Sequence, residues 1–337
     1  MKDVARRAFA SARTRAMRSR LLGPEDRDRL RGAPSAASLA AALRALGLPP
    51  DGPEQTEAAL RRRLFADAAA LARSWPVGRG LLLALARLDE VENLKLGLGA
   101  RALSLPPAAW VPRWRDLGEL AALPLACLRD SASLREAAQS LARTPYAAIA
   151  EEVLRVHGSA DGQIGLAVDR WASRRLLDEA ARLPPDDADA TELVRMLVRE
   201  RDLDALLRVV AAFGVPPDQA AAATALLRFE APAEELRALA GWSVARGPIF
   251  PLLPRPLRWL AEGAADPDGA LLALRTARAR ACDRTFIGAP FHLSQAVALV
   301  LLREAEVRAA TALVLAHGDE AAAAAALRAL AGSAMRP

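Results

Sequence analysis

The sequence predicts an all-α protein built from three similar helical units, and three observations carry that expectation. A short box recurs as Glu90-Val91-Glu92-Asn93-Leu94-Lys95, Asp202-Leu203-Asp204-Ala205-Leu206 and Glu306-Val307-Arg308-Ala309-Ala310, its starts 112 and 104 residues apart in a chain of 337. Repetition at about a third of the length means one supersecondary unit used three times. Hydrophobic residues make up 53% of the chain but aromatics only 4%, so Ala and Leu carry the burial, and with Arg and Glu they are strong helix formers. No segment alternates apolar and polar residues for long enough to read as a strand.

A second marker has the same period. Leu60-Arg61-Arg62 and Val168-Asp169-Arg170 stand 108 residues apart in similar helical settings. The units are therefore expected over residues 1–108, 109–216 and 217–337.

In chain order, a first helix is expected from Lys2 to about Leu22, ended by Gly23-Pro24. Ser35 and Ser38 offer N-caps for a helix through Leu39, Leu43 and Leu46 that stops at Gly47. The turn Pro49-Pro50-Asp51-Gly52 leads to a helix from Pro53 to Ser74 with Leu60, Leu64 and Leu71 on one face. Gly78 to Arg101 reads as a single helix containing the first box. Pro106-Pro107 marks a boundary, and Trp110 and Trp114 lead into the second unit.

Ser133 starts a helix through Leu134 and Leu141 that ends at Thr144-Pro145-Tyr146. A helix around Trp171 to Leu183 runs into Pro184-Pro185-Asp186, and one from Ala190 to Phe213 carries the second box. The third unit opens at about Pro217, breaks between Pro248 and Pro256, and closes with a helix from about Leu293 to Ala316 bearing the last box. Within the first box Glu90 and Asn93 share a helix face, while Val91 and Leu94 share the adjacent one. An Asn inside a helix is unfavourable unless its amide caps or cross-links something, so Asn93 is expected to bond a neighbouring helix or loop.

Charge and chemistry narrow the function. The net charge is +6 and the isoelectric point about 10.4, yet lysine occurs only at Lys2 and Lys95 and most arginines are interleaved with acids. Runs such as Arg199-Glu200-Arg201-Asp202 read as solvated helix faces with local ion pairs. Only the N-terminal stretch is one-sided, with Arg6, Arg7, Arg13, Arg15, Arg18 and Arg20 against Asp3.

Cys127 and Cys282 have no partner spacing and are expected as reduced thiols of a cytosolic protein. The longest apolar runs fall far short of a bilayer span. No phosphate loop or Gly-x-Ser-x-Gly is present, and His157, His292 and His317 share no metal-like spacing. His292 is expected at a helix start or in the core, and the tryptophans at 110, 114, 171, 242 and 259 as core pieces. Carboxylate pairs such as Asp186-Asp187 fall at helix ends or turns, where capping suffices. No catalytic residue, cofactor or metal is expected, and a repeat of this kind points to a mechanical part.

Four ordered segments resemble the AC39 (C/d-type) subunit family of rotary V-type and A-type ATPases. Phe9-Ala10-Ser11-Ala12-Arg13-Thr14-Arg15-Ala16-Met17 is similar to the family's aromatic-x-x-Ala-Arg-x-Arg-Ala opening, and Glu92-Asn93-Leu94-Lys95 to its Asp-Asn-Ile-Lys box. Leu141-Ala142-Arg143-Thr144-Pro145-Tyr146 resembles its Leu-x-x-Thr-x-Tyr element. Leu302-Arg303-Glu304-Ala305-Glu306-Val307-Arg308 resembles its C-terminal Lys-Glu-x-Glu-Ile-Arg segment. Phe9 stands where the family often has Tyr, Arg303 replaces Lys, and the second box has Ala205 in place of Asn.

The resemblance implies three similar helical domains in a funnel around a pseudo-threefold axis. It implies a non-catalytic rotor element, peripheral to the cytoplasmic face of a membrane, that joins the central stalk to the proteolipid ring and transmits torque for ion transport. Glu90, Glu92, Asn93, Lys95, Asp202, Asp204, Glu304, Glu306 and Arg308 are then structural motif positions, and Arg13, Arg15 and Arg18 are candidates for partner contact. Two other readings compete: a helical-repeat scaffold unrelated to ATPases, which would form an open superhelix, and an Arg-rich nucleic-acid binder, whose affinity would fall steeply with salt.

Overall fold

The computed structural model describes residues 2–33, 35–50, 52–156, 163–213, 267–288 and 290–315. Among these residues the regular structure is entirely helical. Helices α1 (Lys2–Arg18), α2 (Pro24–Arg31), α3 (Ala36–Ala45) and α4 (Pro53–Ser74) are followed by α5 (Arg79–Ala86) and α6 (Leu88–Ala102). Three short 3-10 turns bridge to α7 (Leu125–Arg129), α8 (Leu134–Ser140), α9 (Ala147–Val156), α10 (Gln163–Ala181) and α11 (Ala188–Phe213). The last two described helices are α12 (Pro267–Thr285) and α13 (Ser294–Leu315). The expected break between Pro248 and Pro256, the tryptophans at 242 and 259, His157 and His317 lie outside the described residues.

Local chemistry accounts for most boundaries. The Ser35 hydroxyl accepts from the Ser38 amide and the Ser133 hydroxyl from the Glu136 amide, each capping the helix that follows. At the end of α3, Gly47 takes a φ of 65° and the Leu48 amide reaches back to the Leu43 carbonyl at 2.9 Å, a turn that favours glycine. The first helix stops at Arg18, a turn earlier than expected. The helix expected over Gly78 to Arg101 is broken at Arg87, whose Nε donates to the Leu120 carbonyl at 3.0 Å. Phe291, just before α13, holds a φ of 74°, a left-handed conformation costing a bulky residue roughly 1–3 kcal/mol.

Among the described residues the core falls into three clusters, and two of them join parts of the chain far apart in sequence. The largest takes in Ala10, Leu64, Leu71, Leu82, Leu193, Leu197 and Val297. A second groups Leu94, Leu98, Trp110, Leu128, Leu141, Tyr146 and Val168. A third packs Leu30, Leu39, Leu43 and Leu60 against Val307, Ala310 and Leu313. Each fully buried leucine stabilises the fold by about 1.5–3 kcal/mol. Helix α13 is the common spine, packing on α1, α4, α5, α11 and α12. Close approach depends on small residues: a Cβ on Gly97 would stand 2.5 Å from the Leu128 side chain, whereas one on Gly99 meets nothing within 4 Å. Trp110 is core as expected, while Trp114 and Trp171 pack partly buried against the second cluster. Cys127 is half-buried and Cys282 buried, both as free thiols, and burial pushes the Cys282 thiol up to about 12.

Candidate functional site

Three helix pairs meet at a charged cavity of about 280 Å³. Each supplies side chains at matching register. Arg61 of α4, Asp169 of α10 and Arg275 of α12 line it, spaced 108 and 106 residues apart. So do Leu85, Leu197 and Leu301, and likewise Glu92, Asp204 and Arg308, each set spaced 112 and 104 residues apart. The three recurrent boxes thus face one another across a common space.

Ion pairs join the helix pairs around this cavity. Asp89 accepts from Arg61 and, at 2.7 Å, from Arg115. Burial raises its carboxyl above the usual range, and the two guanidiniums oppose that shift without cancelling it. Asp169 accepts from Lys95 at 3.0 Å and from Arg201 at 2.8 Å, and Glu92 holds the same Lys95 ammonium at 2.7 Å. Glu200 is only 3% exposed and accepts from Arg278 at 2.8 Å, Arg275 at 3.0 Å and Arg308 at 3.4 Å. Burial alone would raise its carboxyl, but the three guanidiniums outweigh it and hold it down at about 2. Asp204 lies 3.7 Å from Arg275, and Glu304 pairs with Arg308 at 3.2 Å.

The first carboxylate of each box is buried: Glu90, Asp202 and Glu306. Glu90 Oε1 accepts from the amides of Ala122 and Leu123, each at 2.6 Å, while its Oε2 accepts from the Tyr146 hydroxyl. Glu306 Oε1 accepts from the Leu22 amide at 2.6 Å, and its Oε2 from Arg303 at 2.6 Å. Glu90 and Glu306 thus latch connecting segments onto the helices. Asn93 cross-links to a loop, as expected: its Nδ2 donates to the Arg115 carbonyl at 2.7 Å and its Oδ1 accepts from the Arg115 amide at 2.9 Å. The first recurrent box and the Leu141–Tyr146 segment therefore meet, through Glu90 and Tyr146.

The run Arg199-Glu200-Arg201-Asp202 departs from its reading as a solvated face. Glu200 and Asp202 are buried, because α12 and α13 cover that side of α11 and bring three arginines onto Glu200. One recurrence stands outside the boxes: Arg87, Arg199 and Arg303 each stand three residues before a buried box carboxylate, again 112 and 104 residues apart. Arg303 itself is buried and donates to Asp67 at 2.9 Å and to the Arg20 carbonyl at 3.1 Å.

The N-terminal arginines divide. Arg18 pairs with Asp283 at 2.9 Å and lies 4.3 Å over the Phe286 ring, and Arg13 reaches Ser74 at 3.4 Å. Arg15 is exposed. His292 sits beside the start of α13, its Nδ1 3.1 Å from the Asp186 carbonyl, while Asp187 accepts from the Leu293 amide at 3.0 Å. Among the described residues no three His, Cys, Asp or Glu side chains gather to hold a metal ion, and no helix is long and apolar enough to cross a membrane. What the arrangement offers chemically is fixed, mutually neutralising charge around a shaped hollow.

The model of the ATP synthase (C/AC39) subunit family matches residues 10–315. No curated protein matches the chain.

Proposed function

Since the chain belongs to the ATP synthase (C/AC39) subunit family, a family of non-catalytic V/A-type ATPase subunits, we propose that it is the rotor socket of such an enzyme. It joins the central stalk to the membrane proteolipid ring at the cytoplasmic face. It transmits torque between ATP turnover and proton or sodium movement. The observation that carries this reading is the convergence of three equally registered sets of side chains on one cavity. Three units over 1–108, 109–216 and 217–337, related by a pseudo-threefold axis through that cavity, account for the register.

A socket has to be stiffer than what it drives. Lys95–Asp169 stitches the first unit to the second, Glu200–Arg278 the second to the third, and Arg303–Asp67 the third to the first. Buried pairs of this kind hold register, since separating one strands charges in a low dielectric. The foot of the stalk seats over the cavity, where Glu92, Asp204 and Arg308 present polar groups for a partner to read.

The test is copurification of the tagged chain with proteolipid and stalk proteins, together with ATP-driven ion pumping in a strain carrying Glu92→Arg and Asp204→Arg. The expected result is an intact head that hydrolyses ATP with pumping reduced at least about tenfold, as an uncoupled rotor requires. A chain recovered alone, whose deletion leaves pumping unchanged, would overturn the assignment.

A further inference from the structure

The three boxes that meet at the cavity are alike in register and unlike in sign. Leu85, Leu197 and Leu301 line it at one level and are buried. Seven residues after each, on the order of 10 Å along a helix, stand Glu92, Asp204 and Arg308. Their side chains are 39%, 36% and 37% exposed. The hollow is thus floored by leucine and rimmed by charge, with the three rim groups about equally open. Two of them are carboxylates and the third is a guanidinium.

Net charge cannot orient a partner here, because the described lining residues hold six cations and six acids. The placement of sign can. Deeper groups are committed within the protein: Asp169 takes Lys95 and Arg201, and Glu200 takes Arg275, Arg278 and Arg308. Each rim group is steadied by a neighbour, Glu92 by Lys95, Asp204 by Arg275 and Arg308 by Glu304, yet keeps more than a third of its surface open.

A partner that complements this rim carries basic groups toward Glu92 and Asp204 and an acidic group toward Arg308. Turned by one unit in either direction, it would meet like charge at two of the three positions. Like-charge contacts in an interface suppress a wrong register more strongly than one remaining good pair can rescue it.

We infer that the socket is keyed: it holds the stalk foot in one of three rotational settings, and Glu92, Asp204 and Arg308 choose which. The inference rests on the socket reading and specifies the foot as bearing two basic faces and one acidic face.

The test measures distances between spin labels in the complex of the full chain with its purified central-stalk proteins. One label sits on the side of the stalk foot. The other is placed in turn through Ala66→Cys, Arg174→Cys or Arg280→Cys, exposed positions 108 and 106 residues apart, in a Cys127→Ser background. The natural rim should give one distance from each site, different for the three units. Glu92→Arg with Arg308→Glu moves the odd charge from the third unit to the first, so the distance first seen from Arg280→Cys should now be seen from Ala66→Cys. The near-isosteric triple variant Glu92→Gln, Asp204→Asn, Arg308→Gln erases the pattern, and each site should then show several distances.

A circular dichroism melt verifies folding, and if the charge-moved variant fails to fold the triple variant decides. Loss of stalk binding by a folded charge-moved variant, with the triple variant still binding, also supports the key, the turned setting being barred by shape. The same several distances from all three sites of the natural chain would overturn the key. So would a single set of distances that neither variant alters. Either result leaves the socket standing, whereas a natural chain that binds no stalk protein defeats the socket and the key with it.

Discussion

The carboxamide of Asn93 and the main chain of Arg115 exchange two hydrogen bonds, at 2.7 and 2.9 Å, across 22 residues of sequence. Because Asn93 is 1% exposed, water does not compete for either group. The side chain serves as a short stand-in for a strand edge, holding an irregular segment to α6 where no regular ladder is available.

Asn93→Ala leaves the Arg115 amide and carbonyl without these partners and is expected to cost about 2–4 kcal/mol. Asn93→Asp keeps the acceptor but sets a carboxylate against a carbonyl, so it should be no better. Urea unfolding of both variants checks this, and a change below roughly 0.5 kcal/mol would mean the loop is held by other contacts.

Two glycines of one helix separate packing from propensity. Gly97→Ala drives a methyl group into the buried Leu128 side chain and should destabilise by roughly 1–3 kcal/mol. Gly99→Ala meets open space and should stabilise by about 0.5–1 kcal/mol through helix propensity alone. Opposite shifts in thermal midpoint are the expected signature.

Removing Arg303 strands two acids, Asp67 and Glu306, and frees the carbonyl of Arg20. Arg303→Met is therefore expected to cost roughly 3–5 kcal/mol. In a double-mutant cycle, Arg303→Met combined with Asp67→Asn should lose less than the sum of the two single changes, by about 1 kcal/mol or more.

Acid should weaken the molecule through Glu200. Its folded-state carboxyl lies at about 2 against an ordinary 4.5, so it contributes stability above pH 4.5 that is lost as pH falls toward 2. The full contribution is on the order of 3 kcal/mol. Asp89, shifted upward by burial, acts in the opposite sense and blunts the slope. Denaturant unfolding from pH 7 down to about 3 should show natural-chain stability falling more steeply than that of Glu200→Gln.

Fold class was legible because helix propensity and apolar period are local properties. Pro53–Ser74 emerged with both ends as expected, since Pro53 and the Trp75-Pro76 stop are both written in the chain. The break at Arg87 was not legible, because what turns the chain there is a carbonyl at Leu120, thirty-three residues on. The cross-linking of Asn93 was legible as a need for a partner; that the partner is Arg115 was not. Glu200 was misread for a related reason. Its immediate neighbours are charged and suggest solvent, whereas its burial is decided by Arg275, Arg278 and Arg308 from helices far along the chain. At the repeat spacing the positions equivalent to Glu200 are Leu88 and Glu304, neither of them buried, so the register of the boxes carries no signal for its burial.

The Cys282 thiol, enclosed between α12 and α13 and held protonated far above neutral pH, is chemically silent while those helices stay together. It becomes a clock for their parting. An alkylating reagent will mark half-buried Cys127 promptly and Cys282 only as often as the spine opens, so the lag between the two labels reports how frequently α12 and α13 separate.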